Sequence, residues 1–143
     1  MDRRVELAKI VNSLRKGGFD FKVNYFNNRL KLQKYVFLLR RYGIDLGYSY
    51  SYYIRGPYSP ELADDYYNLP KVSEEIELPK EFLKLIKDKS ERWLELASSL
   101  VMVFEKYPKI SENEAIKIVA TSKLEDPNKL KEILRKLKEH KAI

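Results

Sequence analysis

The chain has 143 residues and no cysteine, and its 28 Lys and Arg against 21 Asp and Glu give a formal charge of +7. That length suits one domain that buries a core without staples, while the missing thiols exclude disulfides, thiolate metal ligands and a cysteine nucleophile. No stretch approaches the roughly 18 apolar residues that span a bilayer, and Met1-Asp2-Arg3-Arg4 leads into an amphipathic pattern without a secretory h-region, so no membrane partner and a cytoplasmic location are expected.

The charge is unevenly placed. Residues 1–46 hold 11 basic and 4 acidic side chains, residues 47–78 hold 2 and 6, and residues 79–143 hold 15 and 11. Such a layout can attract an acidic partner or nucleic acid. It is also what a solvated, Lys- and Glu-rich surface of thermophile-like composition gives.

From the N-terminus, Val5, Leu7, Ala8, Ile10, Val11 and Leu14 form an i, i+3, i+4 stripe. It predicts a helix from about Asp2 to Lys16, stopped by Gly17-Gly18. Phe19, Phe21, Tyr25 and Phe26 make an aromatic connector. Asn27 or Asn28 is placed to cap a second helix that runs to about Tyr42. Leu30, Leu32, Tyr35, Val36, Phe37, Leu38 and Leu39 cover more than one of its faces, so this helix is expected at the centre of the fold. Lys31, Lys34 and Arg41 would leave it one narrow basic edge, and Gly43 suits its C′ position.

Between Gly47 and Arg55 the period changes. Tyr48, Tyr50 and Tyr52 alternate with Ser49, Ser51 and Tyr53, the two-residue repeat of a strand. Gly56-Pro57-Tyr58-Ser59-Pro60 reads as a rigid turn, with Ser59 as N-cap and Pro60 at N1 of a short helix through Tyr67. Val72 to Leu78 is a weaker candidate strand that could pair with the tyrosine strand. Helices follow over 79–87 and about 91–106. Ser111 and Glu114 spell a capping box, and Asp126-Pro127 opens a last helix with Leu130, Ile133, Leu134 and Leu137 inward. The fold class predicted is mostly α (α+β). It is one helical domain over 1–143, with N-terminal helices at 2–16 and 28–42, a strand–corner–helix unit at 48–67, C-terminal helices over 79–141, and a small two-stranded antiparallel sheet.

Chemistry is sparse. The one histidine, His140, lies near the end of the last helix, which argues against His-based acid–base work and triads. The 5 glycines never form a phosphate-binding loop. Glu61, Asp64, Asp65, Glu74 and Glu75 could hold Mg²⁺. However, Glu61 suits the first turn of a helix, and adjacent helical residues point about 100° apart. No catalytic residue, metal or cofactor is expected. The last two helices have a helix-turn-helix outline whose second member carries Lys129, Lys131, Arg135, Lys136 and Lys138, and this makes DNA binding the alternative function.

The tyrosine-rich stretch from Tyr48 to Tyr58 is the most informative. Tyrosine and arginine combine large contact area with a polar tip, which favours them at binding hot spots. The expected partner-binding residues are Arg55, Tyr58, Tyr50, Tyr52 and Tyr53, with one strand face inward and the other outward.

Lys31-Leu32-Gln33-Lys34-Tyr35-Val36-Phe37, then Gly43, then Tyr53-Ile54-Arg55-Gly56-Pro57-Tyr58-Ser59-Pro60-Glu61-Leu62, resembles the pattern of the Panacea (SocA-like) antitoxin domain and of YwgA-type bacterial proteins. The likeness covers residues 29 to about 67. It implies a helix-rich fold with a small sheet, and a domain that binds another protein, a neighbouring toxin in the antitoxin members. Tyr52 to Arg55 stand where antitoxin members often carry a tryptophan, which brings the chain nearer to the YwgA type. In the residues themselves, Gln33 is the polar exception in an apolar run. A buried Gln must find partners, and its amide is expected to bond backbone near the Gly56-Pro57 corner, making Gln33, Gly56, Pro57, Ser59 and Pro60 the structural motif.

Overall fold

Helix starts coincide with side chains that accept the free N–H groups of the first turn. In the computed structural model, which describes residues 2–143, Asp2 caps α1 (Arg3–Lys16), Ser59 caps α3 (Pro60–Tyr66), Ser90 caps α5 (Glu91–Lys106), Ser111 caps α6 (Glu112–Lys123) and Asp126 caps α7 (Pro127–Glu139). Helices α2 (Phe26–Leu39) and α4 (Lys80–Ile86) start without a side-chain cap. The asparagines expected to cap α2 lie inside it. Tyr25 holds the N-cap position, and the Asn28 side chain instead accepts from the Lys22 N–H at 2.9 Å, fastening the aromatic connector. At Ser111 half of the capping box forms: its hydroxyl accepts from the Glu114 N–H but donates to the Glu114 carboxylate, which does not reach back to the backbone.

The architecture is mostly α with one two-stranded antiparallel sheet. α2 is buried on all sides from Leu32 to Leu39. A single 3₁₀ turn over Arg40–Tyr42 follows, and Gly43 then ends the run at a φ of 89°. α5 is its equal: every residue from Leu94 to Val103 is buried, and it packs against α2, α6, α7 and the sheet. Leu7, Leu32, Leu62, Phe82, Leu100, Val119 and Leu134, from seven different helices, belong to one hydrophobic cluster. The end of α7 and the residues after it are tied to the body of the fold. Tyr42 donates to the His140 carbonyl at 2.7 Å, Arg41 to the Ala142 carbonyl at 2.9 Å, and the His140 ring lies 3.0 Å from Glu81.

The second strand is not where the weaker pattern placed it. β1 (Ser51–Tyr53) pairs with β2 (Gly56–Tyr58) in the register Ser51 with Tyr58 and Tyr53 with Gly56, so the expected turn is itself a strand and Ile54-Arg55 form the hairpin tip. Residues 72–78 run extended without a ladder. Their backbone is taken by α1 side chains, with Asn12 donating to Val72 and Glu74 and Ser13 bonding both backbone groups of Ile76. Gly56 has φ 86°, and a Cβ there would meet the Ser99 hydroxyl at 3.0 Å and the Glu95 carbonyl at 3.2 Å. Only glycine allows both this left-handed turn and the close seat on α5.

Gln33 joins α2 to the corner. Its amide donates to the Ser59 carbonyl at 2.9 Å and accepts from the Ser59 N–H at 2.9 Å, both within the core. Replacing Gln33 by Leu would strand two buried backbone groups, each costing about 1–3 kcal/mol. Chemical unfolding of Gln33→Leu should therefore show a loss of about 2 kcal/mol or more at unchanged m-value, and a loss below about 0.5 kcal/mol would contradict the joint.

Candidate functional site

The hairpin is held from beneath by charge as well as by Gln33. Lys34, expected on an exposed basic edge, is fully buried and its Nζ donates to the Pro57 carbonyl at 2.5 Å. The edge assignment failed because α2 is enclosed on every side, which leaves no solvent face for position 34. Pro57 has no N–H to offer, but its carbonyl needs a donor, and Lys34 supplies one. From α6, Lys123 donates to the Tyr53 and Ile54 carbonyls at 2.9 and 2.7 Å and lies 3.7 Å from Glu95. Glu95 is itself buried on α5 and bridged by Arg92 at 3.1 Å. Two ammonium groups, one of them beside a buried carboxylate, thus grip three carbonyls of one hairpin. Burial pushes Lys34 down to about 7, with the Lys123 charge acting the same way and Glu95 opposing it. Lys123 is also lowered by burial.

Above this clamp lies a cleft between the hairpin, the start of α2 and the end of α3. Its volume, about 530 Å³, does not single it out, since hollows of about 580 and 590 Å³ lie elsewhere. Its lining does. Phe26, Tyr53 and Tyr67 are 54%, 49% and 56% exposed, Ile54 is almost wholly exposed, and Tyr58 and Tyr66 lie deeper beside Gln33. Tyr53 stacks edge-on against Tyr58 at 5.6 Å, and Tyr66 meets Tyr67 at 5.3 Å. The Tyr66 hydroxyl is pushed up to about 12 by burial. The two charged lining residues are Arg29 and Arg55, whose guanidinium carbons stand 5.8 and 5.7 Å from the Phe26 ring centre. Clustered exposed rings of this kind mark interaction surfaces.

Arg55, Tyr53 and Tyr58 come together in this cleft. Tyr50 and Tyr52, grouped with them from the sequence, do not. They share the parity of buried Tyr48 and turn to the other face of the strand. Tyr50 packs edge-on against Phe37 at 5.0 Å, its hydroxyl buried and without a hydrogen-bond partner among the described residues. Tyr52 is spent on α6, with its hydroxyl 2.8 Å from that of Ser122 and its ring under Lys123. Phe26, Arg29, Tyr66 and Tyr67 were missed. The aromatic connector and the Tyr66-Tyr67 pair were visible as residues, but nothing local showed that α2 and α3 bring them to the hairpin.

The other candidate groups are dispersed or neutralised. Glu61 accepts from the Ser49 N–H, Asp65 from the Tyr48 hydroxyl, and Glu74 and Glu75 pair with Lys9 and Lys16. Among the described residues no group of three or more His, Asp or Glu side chains gathers as for a metal ion. On α7, Lys129 meets Glu125, Arg135 meets Glu132 and Glu139, Lys136 meets Glu139 and Lys138 meets Glu112, while Lys131 is simply exposed. The turn before α7 manages without glycine because Leu124 takes the left-handed conformation, φ 52°. Among the described residues no helix is long and apolar enough to cross a membrane. No protein-family model, curated protein or solved structure matches the chain.

The clamp sets a pH dependence. Lys34 has a folded pKa of about 7 against an ordinary 10.5, so the unfolded chain binds more protons between those values. Stability from this group therefore rises with pH across that window, by at most about 1.4 kcal/mol per unit, and is flat below it. Several tyrosines are shifted upward by burial and oppose the trend only above their ordinary 10. Urea midpoints measured from pH 7 to 9 should climb in the wild type and climb less than half as steeply in Lys34→Met. An equal slope in both would remove Lys34 as the source.

Proposed function

We propose that the chain is a non-enzymatic protein-binding domain that docks its partner on the aromatic cleft, as an antitoxin-like or adaptor module. The observation that carries this reading is the gathering of half-exposed rings from α2, the end of α3 and the hairpin around a hairpin fastened to the core from below. An exposed apolar surface on a rigid support loses little conformational entropy when a partner covers it. The residues behind the resemblance support the same reading. Gln33 and Lys34 of the first block bond Ser59 and Pro57 of the second, so the two short blocks are the halves of one joint. The joint would be shared scaffolding, and the rings around it would be free to differ with the partner. In the antitoxin members that partner is a toxin encoded nearby, and a toxin or another cytoplasmic protein is the partner proposed here.

The tagged 143-residue chain should capture a specific protein from its native cell extract. Tyr53→Ser and Arg55→Ala, both at exposed positions, should leave stability within about 0.5 kcal/mol and weaken capture by about 30-fold, the scale of a hot-spot loss. Undiminished capture by both variants would place the docking surface elsewhere.

A further inference from the structure

The chain has nine arginines. Among the described residues seven have a carboxylate within 4.0 Å: Arg3, Arg4, Arg15, Arg40, Arg41, Arg92 and Arg135. The two left over, Arg29 and Arg55, line the same cleft, and their guanidinium groups stand 5.8 and 5.7 Å from the centre of one ring, Phe26. Arg29 is steadied by donating to the Val23 carbonyl at 2.8 Å and also lies 5.9 Å from the Tyr67 ring. Two like charges are thus gathered on one aromatic surface with no carboxylate among the lining residues. On a surface where the other arginines are paired, these two are placed to meet anionic groups beside apolar ones. Arginine forks match carboxylates, and such charge-assisted bonds are the stronger kind.

We infer that the cleft binds a segment of a partner protein in which acidic side chains flank a bulky apolar one, the carboxylates meeting Arg29 and Arg55 and the apolar group entering between Phe26, Tyr53 and Tyr67. This rests on the protein-binding reading and names the chemistry of what is bound. A nucleic acid strand would also offer anions and stackable rings, but α3, whose end forms one wall of the cleft, carries Glu61, Asp64 and Asp65, within a stretch of 6 acidic and 2 basic residues. A long polyanion meets like charge there, whereas a short acidic segment does not.

The deciding experiment is an NMR titration of the full chain with a capped pentapeptide in which two glutamates flank a phenylalanine. Parallel arms use the same peptide with glutamines, AMP, and a single-stranded oligonucleotide. The acidic peptide should shift the amides of Phe26, Tyr53, Ile54, Arg55 and Tyr67 and bind about tenfold or more tightly than the glutamine peptide. Arg55→Gln should erase that advantage while leaving the fold's spectrum intact. Equal binding of both peptides to the cleft would overturn the acidic chemistry and leave protein docking standing. Shifts elsewhere, no shifts at millimolar peptide, or a preference for AMP or the oligonucleotide would overturn the inference, and capture insensitive to both Tyr53→Ser and Arg55→Ala would remove docking at the cleft as well.

Discussion

Consecutive polar side chains on an otherwise apolar helix, Gln33 and Lys34, hold the backbone of the hairpin corner, and the rest of the candidate site depends on that grip. A two-stranded hairpin alone is marginal in water. This one has three ladder positions, and its stability must come from what lies beneath it. Gln33 takes both backbone groups of Ser59, while Lys34 and Lys123 take three carbonyls. Burying an ammonium costs several kcal/mol unless it is paired. The buried Glu95 offsets part of that cost between the two lysines, and the lowered pKa of Lys34 records the remainder. Removing one partner strands the group it bonded: Ser59 for Gln33, the Pro57 carbonyl for Lys34, and Glu95 with two carbonyls for Lys123.

A hairpin fixed in this way can carry apolar side chains outward without collapsing onto them. Its inward tyrosines, Tyr48, Tyr50 and Tyr52, reach the core and α6, while Tyr53, Ile54 and Arg55 face away. The cleft is completed by elements distant in sequence. Phe26 and Arg29 open α2, and Tyr66 and Tyr67 close α3, whose start is set by the same Ser59 that Gln33 holds. One serine thus links the end of the hairpin, the start of α3 and the middle of α2. This is why the corner Gly56-Pro57-Tyr58-Ser59-Pro60 reads as a unit in the sequence.

The helices and their caps were legible because their causes are local. The stripe ending at Leu14, the Ser59-Pro60 start and the Asp126-Pro127 start each announce themselves within a few residues. The alternation of Tyr48 to Tyr53 gave the strand and its two faces, though Tyr50 and Tyr52 belong to the inward one. Lys34 and Glu95 were not legible as buried charges, since a charged residue in an amphipathic pattern is normally solvated and only the packing of α5 on α2 reveals otherwise. The strand partner was misplaced for a related reason. Gly56-Pro57 carries turn residues, and a proline, which has no N–H to donate to a ladder, is an exception within a strand. Arg29 looked like any basic residue on a polar first turn, and its lack of a carboxylate is a property of the assembled surface.

Amide hydrogen exchange at the Ser59 N–H tests the grip most directly, because that proton is held by the Gln33 side chain and not by any ladder. If the corner is fastened to the core, Ser59 exchanges only with global opening, at a protection close to that of the buried amides of α2 and α5. Exchange at the rate of an exposed loop, while those helices stay protected, would mean the hairpin opens on its own and the cleft has no fixed wall.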